Sequence, residues 1–308
     1  MLVVMLLATC ASPTTQQLFA ISKYQLARTK GVYVPVEGLT LFAIQAGSGP
    51  DLILVHGNPA STYSWRRVIE PLAQHFRVHA IDLPGYGFSD KPDDARYDVA
   101  WFARMLVGYM DAVGIKAAVL VGNSMGGHVA TETAILYPKR VAGLALLGAS
   151  GLREPATSAE LPLSFRIATW PVVGSILRAL PARSMVRDGL KSSVFDPSII
   201  TEDDVDAYYL PLRGENGLDA FLARMSNRAI EPEREHLVAN IKAPALVITG
   251  DSDHLVDPAV ARRYHELIAG SRLVVLENTG HLPQEERPER VVQEIRQLFL
   301  PAHARPAA

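Results

Sequence analysis

An alternation of apolar and amphipathic segments runs through most of the chain, and it limits the possible folds more than any other feature. Residues 51–55 form a nearly continuous apolar run, typical of a strand buried on both faces. Strands are predicted at 32–36, 39–46, 51–55, 78–81, 117–121, 141–147, 245–249 and 272–276. Helices are predicted at 64–74, 99–113, 125–136, 258–269 and 288–300. This alternation predicts an α/β fold with a mostly parallel sheet and helices on both faces.

The alternation stops at Gly151 and resumes near residue 242. Between these points, prolines separate short amphipathic pieces. We therefore predict one α/β core, residues 31–150 and 242–308, interrupted by an inserted helical cap at 151–241. Apolar residues within 161–177 either line a substrate pocket or attach the cap to the core.

The overall composition is that of a globular protein. The chain has 308 residues, of which 48% are hydrophobic and 20% charged. Its formal net charge is −2, and no run of basic residues is interleaved with aromatics. These features argue against nucleic acid as a partner.

The first 30 residues are predicted to be a leader and tether. Met1 to Ala8 is wholly apolar but too short for a stable membrane-spanning helix. Leu7-Ala8-Thr9-Cys10 resembles a bacterial lipoprotein cleavage box, in which the cysteine receives lipid, although Thr9 and the lack of a preceding basic residue depart from that pattern. We expect export, with a lipid anchor on Cys10 or cleavage as an ordinary signal. The alternative is a hydrophobic N-terminus on a cytoplasmic protein.

The segment Gly122-Asn123-Ser124-Met125-Gly126-Gly127 joins a predicted strand directly to a predicted helix. This context indicates a nucleophile elbow, in which a sharp turn projects the Ser124 hydroxyl. Gly122, Gly126 and Gly127 are needed because side chains there would meet the neighbouring strand and helix. Ser124 is thus the candidate nucleophile, and it requires a base.

Two residues that follow later strands are candidates for the base and its orienting acid. His281 follows the strand at 272–276, and Asp253 follows the strand at 245–249, which gives the chain order expected for serine, acid and histidine. Asp251 and Asp257 are rival acids, although each is explained as a turn residue or a helix cap. His254 is the second candidate for the base.

An oxyanion hole requires two converging N–H groups. One is expected from Met125, directly after the nucleophile, and the other from Asn58, in the loop His56-Gly57-Asn58-Pro59 after the strand at 51–55. In this arrangement His56 has a structural role.

These segments, together with Asp82-Leu83-Pro84-Gly85-Tyr86-Gly87-Phe88-Ser89, Gly250-Asp251-Ser252-Asp253 and Gly280-His281, resemble the α/β-hydrolase superfamily over residues 38–300. The resemblance implies an eight-stranded sheet, a helical cap and Ser-Asp-His catalysis without a metal or organic cofactor. The residues of the Asp82 loop would be structural.

The choice of reaction depends on Ser124. His56-Gly57-Asn58-Pro59 resembles haloalkane dehalogenases and epoxide hydrolases, but their nucleophile is an aspartate, so Ser124 argues against both reactions. Gly-Asn-Ser-Met-Gly-Gly is similar to cap-bearing esterases and to carbon–carbon bond hydrolases of aromatic ring-cleavage products. We expect hydrolysis of a small carboxylic ester. The alternatives are carbon–carbon, lactone or amide hydrolysis, or a non-catalytic ligand-binding module.

A carbon–carbon hydrolase of that kind would need basic residues for a carboxylated substrate. The cap supplies arginines that could serve: Arg166, Arg178, Arg183, Arg187, Arg213, Arg224 and Arg228. We interpret each of them as a solvated charge on a helix face, because arginine is mostly exposed.

Overall fold

The computed structural model describes residues 29–153, 183–228 and 234–300. The strands of the sheet are β1 (Gly31–Val36), β2 (Leu39–Ala46), β3 (Asp51–Val55), β4 (Arg77–Ile81), β5 (Ala118–Asn123), β6 (Val141–Leu147), β7 (Ala245–Gly250) and β8 (Arg272–Leu276). The helices are α1 (Ile69–Ala73), α2 (Val99–Ala112), α3 (Met125–Leu136), α4 (Arg183–Ser192), α5 (Glu202–Arg213), α6 (Gly217–Arg228), α7 (Glu235–Val238), α8 (Pro258–Leu267), α9 (Pro283–Glu286) and α10 (Pro288–Phe299).

The eight strands form one sheet in the order β1-β2-β4-β3-β5-β6-β7-β8. β2 pairs antiparallel with β1 and β4, and all other pairs are parallel. This confirms the predicted α/β class with a mostly parallel sheet. Because parallel strands end at the same edge, the residues after β3, β5, β6, β7 and β8 are brought together there.

Helices cover both faces of the sheet. Alternate residues of β3 belong to different apolar clusters: Ile53 and Val55 pack on the side of α2, α3 and α8, whereas Leu52 and Leu54 pack on the side of α1 and α10. All four of these side chains are fully buried. The apolar run at 51–55 is therefore explained by burial on both faces.

The predicted helix at 64–74 is wrong in extent. A 3₁₀ helix at Thr62–Trp65 is followed by α1, which begins only at Ile69. Pro71 accounts for the break, since its ring would clash with the carbonyl four residues earlier in a continuous helix. In the observed arrangement Pro71 lies in the first turn of α1, where no N–H donor is required.

Between β6 and β7, the described ranges 183–228 and 234–241 are largely helical, whereas 148–153 and 242–244 are not. We call residues 151–241 the insertion. The prolines of this region were expected to separate the amphipathic pieces. Pro211 does not, because it lies inside α5, which continues past it to Arg213. The apolar pieces at 161–177 and residues 1–28 of the predicted leader and tether (1–30) lie outside the described residues. Among the residues that are described, no helix is long and apolar enough to cross a bilayer.

A buried polar network joins the insertion to the core. The guanidinium of Arg66 contacts Asp204 of α5 at 2.8 Å and Glu285 of α9 at 2.6 Å. Tyr63 donates its hydroxyl to Asp204 at 2.7 Å, and Tyr208 donates to Glu285 at 2.6 Å. The two carboxylates therefore share one cation, and each also accepts from a tyrosine hydroxyl, which provides the partners that buried charges require.

Candidate active site

Ser124 lies at the turn between β5 and α3 with φ 54° and ψ −118°, a conformation that few non-glycine residues adopt. Its carbonyl accepts hydrogen bonds from the N–H groups of Gly127, His128 and Ser150, which hold the turn in place. A Cβ atom at Gly122 would collide with the backbone of Gly126, and one at Gly126 would collide with the backbone of Val55. A Cβ at Gly127 would collide with the side chain of Ala149. The three glycines allow the strand, the turn and the helix to pack closely.

His281 and Asp253 form a buried pair at the edge where β7 and β8 end. His281 Nδ1 lies 2.8 Å from Asp253 Oδ2. The other oxygen of Asp253 accepts hydrogen bonds from the N–H groups of Leu255 at 2.9 Å and Val256 at 3.0 Å. These contacts fix the carboxylate and direct it at the imidazole, leaving Nε2 of the ring for another partner.

The rival acidic residues have other contacts. Asp251 is exposed and accepts a hydrogen bond from the Ser252 hydroxyl at 2.8 Å, which is the main reason that its pKa is lowered. Asp257 caps α8 by accepting from the N–H of Ala259 at 2.8 Å. The alternative base, His254, is exposed. Of the acids considered from the sequence, the structure brings Asp253 into contact with His281.

The loop after β3 lies against the elbow. A Cβ at Gly57 would lie 3.0 Å from the Ser124 Cβ, closer than an ordinary contact, so glycine at position 57 lets this loop approach the nucleophile without displacing it. The side chain of Asn58 accepts from the Tyr86 hydroxyl at 2.9 Å and donates to Met225 Sδ at 3.3 Å. Met125 is the first residue of α3, where helix N–H groups lack an intrahelical partner. Gly57 of this loop thus lies beside Ser124, and Met125 follows the serine at the start of α3.

His56 is fully buried and joins two loops. Its Nδ1 donates to the Gly57 carbonyl at 2.8 Å, and its Nε2 accepts from the Leu83 N–H at 3.0 Å. Burial lowers the pKa of His56 to about 4, so the ring is neutral at neutral pH. Asp82, also buried, accepts from the N–H groups of Thr62 and Phe88 at 2.6 and 2.8 Å. Both residues organise loops.

Three residues of the site were missed by sequence reasoning. Asn123 is buried and donates its side-chain amide to the carbonyl oxygens of Leu147 at 2.9 Å and His281 at 3.1 Å. Gly148 has φ +50°, and a Cβ there would lie 3.1 Å from Asp253 Oδ2 and 3.3 Å from His281 Nδ1. Its place directly after β6 was the available signal, since this position is beside the ends of β5 and β7.

Arg224 is the third site residue that was not predicted. We interpreted every arginine of the predicted cap as a solvated charge, and this is wrong for Arg224. It is only 3% exposed, and its guanidinium lies 3.4 Å from the carbonyl oxygen of Tyr97. Burial raises the pKa of Tyr86 well above the usual value, and the charge of Arg224 opposes that rise. A buried cation therefore lies close to the tyrosine that contacts Asn58.

The other described arginines of the predicted cap are more exposed than Arg224. Arg183 and Arg187 pair with Glu202 and are partly exposed, and Arg213 is exposed. Arg166, Arg178 and the side chain of Arg228 lie outside the described residues.

A cavity of about 510 Å³ lies near the N-terminus of α2. Its described lining includes Asp98, His128, Glu132 and Arg234, but none of Ser124, Asp253 and His281. In the parts of the chain that are described, no three His, Cys, Asp or Glu side chains are grouped so as to hold a metal ion.

Comparison with known proteins identifies the class. Residues 50–288 match the model of the alpha/beta hydrolase fold family, and the chain belongs to that family. An uncharacterized hydrolase of Bacillus subtilis, YugF, is 31% identical over 79% of this chain and 88% of that protein. A 2-hydroxy-6-oxononadienedioate/2-hydroxy-6-oxononatrienedioate hydrolase of Burkholderia vietnamiensis is 33% identical over 86% and 93%.

Among solved structures, a membrane phospholipase A, described as a bacterial virulence factor, superposes with a TM-score of 0.77 at 28% identity, covering 97% of this chain and 95% of that one. These relatives are hydrolases, which supports hydrolase activity for this chain.

Proposed function

We propose that this protein hydrolyses carboxylic esters through an acyl-serine intermediate. The observation that carries the proposal is the buried 2.8 Å contact between His281 Nδ1 and Asp253 Oδ2 at the same sheet edge as the Ser124 elbow. With Nδ1 engaged by the carboxylate, the proton-free Nε2 is available to the serine hydroxyl. Ser124, His281 and Asp253 would then act as nucleophile, base and orienting acid.

The reaction would proceed in two halves. His281 takes the Ser124 proton as the serine oxygen attacks the ester carbonyl, and the N–H groups of Asn58 and Met125 stabilise the oxyanion. Collapse of this intermediate breaks the bond to the alcohol, which leaves with the proton from His281. Water, deprotonated by His281, then attacks the acyl-serine and releases the acid and free Ser124.

Active-site labelling and substrate turnover test this proposal. We expect p-nitrophenyl acetate or butyrate to be hydrolysed, and turnover to be abolished in Ser124→Ala and His281→Ala. An active-site phosphonate should label Ser124 with one equivalent. If neither ester nor dienoate is turned over and the phosphonate fails to label Ser124, the chain is a ligand-binding module instead.

Carbon–carbon bond hydrolysis is the second candidate, because the Burkholderia relative is named for this type of substrate. Arg224 favours it, since a buried cation near Tyr86 and Asn58 offers a partner for a substrate carboxylate. Cleavage of a ring-cleavage dienoate, lost in Arg224→Met while p-nitrophenyl acetate turnover persists, would establish this reaction. Dienoate turnover without ester turnover would replace the ester proposal.

The proposal also includes a membrane tether through Cys10. It rests on the lipoprotein-like Leu7-Ala8-Thr9-Cys10 segment. Likeness to a membrane phospholipase A over 97% of the chain supports it. Radioactive fatty acid should label the wild type but not Cys10→Ser. Absence of label from a product that contains Cys10 would exclude lipidation.

A further inference from the structure

The main chain around His281 is tied to the insertion. The N–H of His281 donates to the carbonyl of Ser193, just beyond α4, at 2.7 Å. The two segments are in close contact, because a Cβ at Gly280 would lie 2.7 Å from the Ser193 carbonyl oxygen and 2.9 Å from the Phe195 nitrogen. A shift of residues 193–195 would therefore be transmitted to the main chain of His281, which carries the imidazole.

Glu286, at the end of α9, bridges these same two segments. Its carboxylate accepts from the N–H of Gly280 at 2.9 and 3.0 Å and from the N–H of Leu282 at 3.4 Å. It also accepts from the N–H of Phe195 at 2.8 Å. The donors thus include the residue before His281, the residue after it and one residue of the insertion.

We infer that Glu286 is a positioning residue, which holds His281 in its working orientation by binding the histidine loop and the insertion with one carboxylate. This inference rests on the proposed function, in which His281 is the base. Glu286 does not touch the reacting atoms.

The chemistry of the side chain supports a specific requirement for glutamate. Both carboxylate oxygens accept from backbone N–H groups, and hydrogen bonds to an ionised acceptor are stronger than neutral ones. Glutamine would supply one acceptor oxygen and turn an NH₂ donor towards N–H donors. Glu286→Gln therefore preserves the size of the side chain but removes its charge, and it replaces one acceptor oxygen by an NH₂ that faces the backbone N–H groups of the histidine loop or of Phe195.

Phosphonylation kinetics of Ser124 provide the test, because this reaction needs the base but not the natural substrate. We expect Glu286→Gln to be labelled to one equivalent, but with a rate constant about tenfold or more below that of wild type. Small misplacements of catalytic groups slow a reaction by at least this factor. Ester kcat per labelled site should fall in parallel, with KM nearly unchanged. Glu289→Gln, which changes an exposed glutamate in α10, is the matched control and should behave as wild type.

A purely structural role would give the opposite pattern. In that case Glu286→Gln would lower the labelled fraction or the unfolding midpoint, while the rate for each labelled site would equal that of wild type, and this result would overturn the inference. A wild type that is phosphonylated but does not hydrolyse esters would instead overturn only the proposed ester substrate.

A second pair of variants covers the case in which Glu286→Gln does not fold. Phe195→Pro removes the N–H that donates to Glu286, whereas Phe195→Ala keeps this N–H and removes only the partly exposed ring. Slower phosphonylation in Phe195→Pro than in Phe195→Ala supports the bridge. Equal rates in the two folded variants would contradict it.

Discussion

Asn123 and His281 are joined directly, through a 3.1 Å hydrogen bond from the asparagine side-chain amide to the histidine carbonyl. The residue before the elbow thus holds the loop of the candidate base, and a second bond to the Leu147 carbonyl fixes its amide. We expect Asn123→Ala to lower kcat and to cost about 1–3 kcal/mol of unfolding free energy, because buried carbonyls lose their donor.

Urea unfolding and initial ester rates measure these two effects. Asn240→Ala, at an exposed asparagine, is the control and should change neither. Full activity and stability in Asn123→Ala would show that this bond does not position His281.

Gly148 offers a test that separates backbone strain from crowding. Gly148→Ala would place a methyl group 3.1 Å from Asp253 Oδ2 and 3.3 Å from His281 Nδ1, and we expect kcat to fall because the pair must move apart. Gly114 also has a positive φ, +72°, but a Cβ there meets nothing within 4 Å.

Both alanine variants should therefore lose about 1–2 kcal/mol from left-handed backbone strain, while only Gly148→Ala loses activity. Thermal unfolding and ester turnover of the two proteins supply the comparison. Equal activity would remove Gly148 from the site.

Asp253→Asn should reduce kcat by about 10⁴-fold, because the amide would favour the wrong imidazole tautomer. Asp251→Asn is the matched variant at the neighbouring turn, and it should keep kcat close to wild type. Steady-state kinetics with one p-nitrophenyl ester are sufficient. A large loss in Asp251→Asn with little change in Asp253→Asn would reverse the assignment of the acid.

Acid should destabilise the fold through buried histidines. The pKa of His56 is about 4 in the folded chain, against 6.5 as the ordinary value, so the unfolded chain binds the extra proton between these pH values. Stability contributed by neutral His56 is therefore present above pH 6.5 and declines as pH falls to 4, by up to about 3 kcal/mol.

His79 acts in the same direction, since burial lowers its pKa to about 4 as well. Asp82 and Glu286 oppose them, because burial raises the pKa of Asp82 to about 6 and also raises that of Glu286, so the folded chain holds these protons. The pKa of each histidine is lowered by more than that of Asp82 is raised, so we expect a lower unfolding free energy at pH 4.5 than at pH 7, measured with urea. NMR titration of labelled histidines should find no protonation of His56 above pH 5.

The elements that could be predicted from sequence are those determined by local pattern. A strand buried on both faces is an apolar run in the sequence, and β3 and β7 were predicted from such runs. The amphipathic pattern at 64–74 predicted one continuous helix, but the helix is divided because of Pro71. His281 and Asp253 could be nominated because each follows a strand, and parallel strands end at one edge. Their catalytic roles stay predictions.

The remaining site residues depend on contacts between distant segments. Gly148 matters because it lies against Asp253 and His281, which follow β7 and β8, and Arg224 is buried because α6 packs against the loop that contains Tyr97. Hydropathy and spacing carry no information about such contacts, since an arginine on an amphipathic helix has the same local sequence whether it faces solvent or the core.

The shared cation at Arg66 has a consequence for engineering. Asp204 and Tyr208 come from the insertion, whereas Tyr63, Arg66 and Glu285 come from segments outside it. A chimera that received the insertion of a relative without these two partners would keep the Arg66–Glu285 pair but lose one carboxylate from the guanidinium, the acceptor of the Tyr63 hydroxyl and a donor to Glu285. Substrate range should therefore be exchanged by grafting α5 together with all five residues as a single module.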